Sequence, residues 1–340
     1  MPQFRTGKVP TEVLVRNVLR YTGKADRSVI LGSSIGEDAA LVSLGKNVLI
    51  MTTDPVTGAA ADLGWLSVHV NANDVACRGG TPRWFLCDIL LPEKSGVDLL
   101  DSIMKQIDHA AREVGVAIVG GHTEVTPGLE RPIVVGYMMG VAQKGKFVTS
   151  SGAKPGDVII MTKSIGIEGT GILAADFAHK LTGKIDRRTL ATAKKMRRWI
   201  SVVKEAELAV QVGGVRAMHD PTEGGLLQGI WELAEASKVG FMIDASNISI
   251  RPETERICSV FGLDPLRLMS SGCLLIIANK RKSGKILHQL ESHGIPGCVI
   301  GKITVLRSGR KLMEEDGRVR EIGPSERDEL YRVIESHRLR

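Results

Sequence analysis

Two apolar runs, residues 39–44 and 47–53, are separated by nothing but Gly45 and Lys46. A two-residue break between strand-like runs is hairpin spacing, so the first half of the chain is expected to hold an antiparallel strand pair. Acids stand at both ends of this stretch: Glu37 and Asp38 in a glycine-flanked loop before it, and Asp54 in Thr-Asp-Pro at its far end. Gly-Glu-Asp and Thr-Asp-Pro are ordinary turn chemistry, since Asp and Gly favour turns for local hydrogen-bonding and steric reasons. The same residues also suit a divalent cation, and both readings stand at this point.

The run 11–22, TEVLVRNVLRYT, places Val15, Val18 and Leu19 at helical spacing with Gly23 after it, which predicts an amphipathic helix. A second helix is expected up to Cys77, closed by Gly79, Gly80 and Pro82, with Asn71 and Asp74 on one face. A strand over 84–91 follows, then a helix over 97–114 with a stripe of Leu100, Ile103, Ile107, Ala111 and Val114, then strands over 116–125 and 133–142. The Ser-, Gly- and Pro-rich segment 149–157 reads as a boundary between domains 1–150 and 151–340. Beyond it come a strand over 157–163, a glycine-rich run at 164–171 heading an apolar helix, and a basic helical region. Met-His-Asp-Pro-Thr-Glu-Gly-Gly then heads a helix over 226–236, and a strand, a helix and a strand close the pattern over 273–303. This loose alternation leaves α+β and parallel α/β both open.

With 340 residues, 43% hydrophobic and 24% charged, the chain has material for two ordinary globular cores. No apolar stretch approaches the roughly 18 residues of a membrane span, and the start lacks the apolar centre of a secretory signal, so a cytoplasmic protein is expected. Its five cysteines form no closely spaced pair of the kind zinc sites and redox motifs use, and a structural role is expected for them, Cys77 included. The formal charge of +7 invites a nucleic-acid reading, but an aromatic content of 4% offers few stacking platforms. A solvated basic helix face at 194–199, or a weak draw for anionic ligands such as nucleotides, is the reading adopted.

Asp38, Asp54 and Asp74 each sit at an element end, and magnesium takes a few carboxylate oxygens with water and phosphate filling the remainder. Gly120 and Gly121 end a strand where backbone can approach a ligand, followed by His122 as a metal or acid–base candidate. The run 166–171, with Gly169 and Gly171, is like a phosphate loop at a helix start but lacks the Lys-Ser/Thr of a P-loop. His219 and Asp220 precede Gly224 and Gly225, which suits either a cap or an anion site.

In order, Gly-Glu-Asp-Ala-Ala, Thr-Thr-Asp-Pro-Val, Asn-Asp-Val-Ala with Gly-Gly-Thr-Pro, Gly-Gly-His-Thr-Glu-Val, His-Asp-Pro-Thr-Glu-Gly-Gly-Leu, Gly-Leu-Asp-Pro-Leu and Val-Ile-Gly-Lys-Ile resemble the ATP-binding superfamily of aminoimidazole ribonucleotide (AIR) synthetase. The likeness runs from about Gly32 to Ile303, and the second-half motifs are most similar to the hydrogenase maturation protein HypE. It implies a two-domain PurM-like fold, α+β and α/β, whose N-terminal halves pair across a β-barrel in a homodimer and whose C-terminal half is an α/β sandwich. It implies ATP and Mg2+ as cofactors, with Asp38, Asp54 and Asp74 on the metal. By the same likeness Gly36, Glu37, Asn73, Gly120, Gly121, Gly169, Gly171, Thr222, Gly224 and Gly225 surround the nucleotide, and His122, Glu124, His219 and Asp220 serve the chemistry. A mobile N-terminal segment, residues 1–30, is expected to cover the site.

Two departures shape the functional expectation. HypE proteins end in a carbamoyl-accepting cysteine, whereas this sequence ends in His-Arg-Leu-Arg with no cysteine after Cys298, so the reaction on its own tail is not expected. Where HypE has Gly-Asp-Thr-Lys, this chain has Gly-His-Thr-Glu, which puts an imidazole at His122 and a reversed charge at Glu124 and argues for a different substrate. Selenophosphate synthetase and thiamine-monophosphate kinase are the neighbouring alternatives. The expected activity is transfer of the γ-phosphoryl group of Mg-ATP to an oxygen of a small acceptor. The other reading is a non-catalytic nucleotide-binding scaffold for a maturation partner.

Overall fold

The computed structural model describes residues 7–57, 62–325 and 327–338. Residues 1–6 of the expected covering segment, and the last two residues of the tail, lie outside that range. In chain order the first half holds α1 (Thr11–Asn17), β1 (Val29–Leu31), β2 (Ala40–Leu44), β3 (Asn47–Val56), α2 (Leu63–Cys77), β4 (Thr81–Leu91), α3 (Val97–Val114), β5 (Ala117–Val125) and β6 (Ile133–Gln143). The second holds β7 (Val158–Thr162), α4 (Ile167–Asp176), α5 (Ala178–Leu181), α6 (Arg187–Lys195), α7 (Val203–Val212), β8 (Val215–His219) and α8 (Gly225–Ser237). After these come β9 (Gly240–Asp244), α9 (Pro252–Phe261), β10 (Leu275–Ala278), α10 (Lys280–Glu291), β11 (Gly297–Thr304), β12 (Arg310–Met313), β13 (Val319–Glu321) and α11 (Glu329–Arg338).

Two compact units result. The strand-rich unit comprises residues 28–32 and 38–147; residues 7–27 and 33–37 group instead with everything from 148 onward.

The strand-rich unit is a six-stranded sheet in the order β1-β2-β3-β6-β4-β5. The hairpin is present, with Leu44 paired to Asn47 across Gly45 and Lys46, and Gly45 takes φ of 61° as such a tight reversal requires. All pairs are antiparallel except β4 with β5, so the sheet is mixed and the α+β alternative holds here. One face is buried by α2 and α3. On α3, Ile103, Ile107 and Ala111 are buried as the spacing predicts, and α2 is apolar and buried almost all round, from Leu63 to Cys77. At Gly136 in β6, α2 comes close: a Cβ there would stand 2.3 Å from the Asn71 amide nitrogen.

The larger unit is a seven-stranded sheet, β13-β12-β9-β11-β7-β10-β8, antiparallel apart from β9 with β12. Its core is built from Ile159 and Met161 of β7, Leu275 and Ile277 of β10, and Leu226, Leu227, Ile230 and Leu233 of α8.

Two local expectations fail. The helix predicted over 11–22 ends at Asn17, because none of its residues is buried and the Leu19 amide folds back to the Leu14 carbonyl; a short helix without a packing partner gains too little to propagate. The glycine-rich run is not a loop either, since α4 begins at Ile167 and encloses Gly169 and Gly171.

Among the described residues, no helix is long and apolar enough to cross a membrane.

Candidate functional site

In the strand-rich unit, the loop before β2, the middle of β3 and the end of α2 meet around one hydroxyl. Thr52 Oγ1 stands 2.7 Å from the Asp38 carbonyl oxygen and 2.6 Å from Asp74 Oδ2. Asp38 is held from the other side by Arg78, whose guanidinium is fully buried and lies 2.7 Å from Asp38 Oδ2. Two residues beyond Thr52, and therefore on the same face of β3, Asp54 is fixed through its backbone: its amide donates to Asn71 Oδ1 at 2.9 Å, and its carbonyl accepts from Asn71 Nδ2 at 3.3 Å. Helix α2 thus presents Asn71 and Asp74, three residues apart on one face, to two successive inward positions of β3. Asn73 is buried on the same helix.

Thr52 thus joins the Asp38 backbone to the Asp74 carboxylate, with Asp54 two residues along β3; the three carboxylates do not all lie within 4.8 Å of one another. What this region presents is a set of hard oxygen donors on rigid elements, backed by one buried cation. The donor chemistry fits magnesium, which prefers a few carboxylates with water and phosphate completing its shell.

His122 and Glu124 fall elsewhere. Asp54, Gly136, Cys87 and Gly121 form one row across β3, β6, β4 and β5. Side chains alternate along a strand, so His122 and Glu124 point from the face opposite the acids, and three strand spacings of about 4.8 Å intervene. The expectation of an imidazole beside the metal is therefore not met within one chain. His122 Nε2 lies 3.3 Å from Glu124 Oε2, and both are solvent-exposed. The Thr126 hydroxyl and then His122 hold the Glu124 carboxyl below its ordinary range. Gly121 has a packing reason of its own: a Cβ would stand 2.0 Å from the Cys87 carbonyl oxygen, so only glycine lets β5 lie against β4 here. Gly120 is its neighbour on this strand.

The remaining candidates belong to the larger unit. His219, at the end of β8, sits 3.0 Å from Glu232 on α8, and both are buried. Burial would raise the Glu232 carboxyl, but Lys8, His219 and Gln228 outweigh it and hold it low. Lys8 lies 3.7 Å from Glu232, its backbone amide donates to Glu223 at 2.7 Å, and the Tyr331 hydroxyl donates to the same carboxylate at 2.9 Å. The start of the described chain is thereby tied to the loop that carries Asp220, Thr222, Gly224 and Gly225. Gly224 donates its amide to buried Asp328 at 2.7 Å, whose carboxyl is raised chiefly by burial.

The structure does bring the two glycine motifs of this unit together. A Cβ on Gly169 would stand 2.5 Å from Leu268 Cγ, and one on Gly225 would stand 2.7 Å from the Leu268 carbonyl. Both glycines thus have packing reasons to be glycine, and Gly171 faces the Arg197 backbone. Gly36 lies against the Glu232 backbone, and the Glu37 carboxylate accepts from the Ser150 amide at 3.0 Å, which joins two chain segments of the unit. Sequence reasoning missed Thr52, Arg78, Lys8, Glu223, Glu232 and Tyr331. For Arg78 there was a signal, a basic residue at the C-terminal end of a helix; for Lys8, Glu232 and Tyr331 there was none, since only the tertiary fold brings them to the loop.

Comparison with known proteins was made on this background. The AIR synthase related protein family matches twice, its N-terminal domain over residues 36–142 and its C-terminal domain over residues 154–310. Hydrogenase expression/formation protein HupE of Azotobacter chroococcum is 30% identical over 280 residues, 79% of this chain and 79% of that protein. Carbamoyl dehydratase HypE of Rhodobacter capsulatus is 28% identical over 306 residues, 89% of this chain and 87% of that protein. The crystal structure of hydrogenase maturation protein HypE in complex with ATP matches with a TM-score of 0.72 at 24% identity, covering 96% of this chain and 98% of that one.

Proposed function

The chain belongs to the AIR synthase-related family, with both of its domains, and we propose that it binds Mg-ATP and transfers the γ-phosphoryl group to an oxygen of a small substrate. The observation that carries this reading is the gathering of Asp38 and Asp74 about Thr52, with Asp54 on the same face of β3. Asp38, Asp54 and Asp74 would hold magnesium, which when bound neutralises phosphate charge in transfers of this kind. Arg78 fixes the Asp38 carboxylate from behind, which limits its reorganisation on loading, and Asn71 fixes the Asp54 backbone. His219 and Asp220, with the amides around Gly224 and Gly225, are assigned to orienting nucleotide and acceptor; the Lys8–Glu232–His219 chain keeps that loop in place.

The Rhodobacter relative is named for dehydrating a carbamoyl group. By that likeness the acceptor atom is taken as an amide-type oxygen, which becomes a leaving group once phosphorylated. We also infer a homodimer. Every residue of β5 is exposed, including Val119 at 52% and Val125 at 57%, and an unpaired apolar edge strand is a template for a second chain. His122 and Glu124 lie on that edge and would act there. The test is ADP release by the purified protein with carbamoyl and amide acceptors. Acceptor-dependent turnover is expected; tight ATP binding with no turnover on any acceptor would favour the non-catalytic scaffold instead.

A further inference from the structure

Helices α2 and α3 carry a cluster that the proposed phosphoryl transfer does not use. The Glu113 carboxylate of α3 accepts from Trp65 Nε1 at 2.9 Å and faces His69 Nε2 at 3.2 Å, both on Oε2, while His109 Nε2 lies 3.3 Å from its Oε1. His69 is held rigidly, with a side chain only 5% exposed and its ring 4.0 Å from that of Trp65. His109 and Glu113, at 69% and 44% exposure, are reachable from solvent. Although burial raises it, the Glu113 carboxyl is held low by hydrogen bonds from Trp65 and His69 and by the two histidines' charge.

We propose that His69, His109 and Glu113 form a binding site for a borderline-soft divalent transition ion of the zinc class. With zinc–ligand distances of about 2.0–2.2 Å, neighbouring ligand atoms of a tetrahedral centre stand about 3.3–3.4 Å apart. The two imidazole-to-carboxylate separations, 3.2 and 3.3 Å, already match that edge. His109 and Glu113 are one turn apart on α3, so both side chains leave the same face. The three ligand atoms do not yet all lie within 4.8 Å of one another; closing the set requires the exposed His109 ring to swing onto the oxygen that His69 faces, with water in the fourth position. Two imidazoles select against magnesium, which wants oxygen ligands, so this site is chemically separate from the Asp38, Asp54 and Asp74 set. It is also on the other side of the helix. His69 and Asn71 are two residues apart, roughly 200° around α2, and a bound ion would clamp α2, the helix carrying Asp74, to α3.

The test is titration of metal-stripped, nucleotide-free protein with Co2+ and Zn2+, read by the visible bands of four-coordinate cobalt and by competition with a chromophoric chelator. One equivalent is expected, undisturbed by millimolar Mg2+ and accompanied by a rise in melting temperature. His109→Ala, chosen because the ring is exposed and the fold does not depend on it, should weaken binding at least tenfold and abolish the cobalt bands; Glu113→Gln should do the same. Failure of the unaltered protein to take up one equivalent would overturn the proposal, as would equal affinity in both variants.

Discussion

Replacing Asp38 by Ala removes one ion-pair partner of a guanidinium that has no solvent contact. The Arg78 side chain is 0% exposed and the Asp38 side chain 17%, at 2.7 Å. Breaking a buried pair by removing one member costs roughly 3–5 kcal/mol, because the remaining charge is left in a poorly solvating interior. Asp38 sits near enough to the surface for water to reach part of the gap it leaves, so the lower end applies, about 3 kcal/mol. Urea unfolding followed by circular dichroism measures this directly. Adding Arg78→Met to Asp38→Ala should recover part of the loss, since an apolar side chain of similar length removes the buried charge whose pair was broken. A loss below about 1 kcal/mol for Asp38→Ala, the range of a surface pair, would refute the argument that Asp38 neutralises Arg78.

Two further outcomes follow from named contacts. Gly121→Ala should destabilise the protein by about 2 kcal/mol, within the range for overpacking, because its Cβ would meet the Cys87 carbonyl oxygen at 2.0 Å; unchanged urea stability with lost nucleotide binding would show instead that this glycine serves ligand approach. Glu232 has a lowered carboxyl pKa in the fold, so its contribution is fully present above the ordinary glutamate range and is lost as pH falls through the depressed value. The stability gap between the unaltered protein and Glu232→Gln should therefore narrow as pH is lowered from about 7 to about 3.5, and a gap that widens would contradict the assignment of Lys8 and His219 as its stabilising partners.

Much of this architecture was legible in the sequence where periodicity and punctuation agree. The Gly45-Lys46 break, the α3 stripe and the Gly79-Gly80 stop after α2 each state a local preference that the fold keeps. The first helix was overextended because its spacing shows amphipathicity but not whether a core lies opposite, and none of its residues is buried among the described residues. Glycines show a related ambiguity. At Gly121 and Gly169 the sequence signals close approach, but the approaching groups are the Cys87 carbonyl and Leu268. Sequence reasoning put His122 beside the three acids it named as metal ligands. A one-residue offset along β5 decides which sheet face a side chain joins, and that register depends on strand pairing the sequence does not display. Thr52 stood inside the quoted Thr-Thr-Asp-Pro run without being singled out, because a threonine has no distinctive spacing until a carboxylate from α2 is brought to it.

The central claim is that the acids on β3 and α2 hold Mg-ATP, and Asp54 offers the cleanest test. Its bonds to Asn71 run through its backbone and survive truncation of the side chain, and circular dichroism of Asp54→Ala checks that the binding comparison is made on folded protein. Calorimetric titration with a non-hydrolysable ATP analogue, with and without magnesium, should show binding by the unaltered protein that requires the metal and is lost in Asp54→Ala. Equal, metal-independent affinity in both proteins would contradict the account.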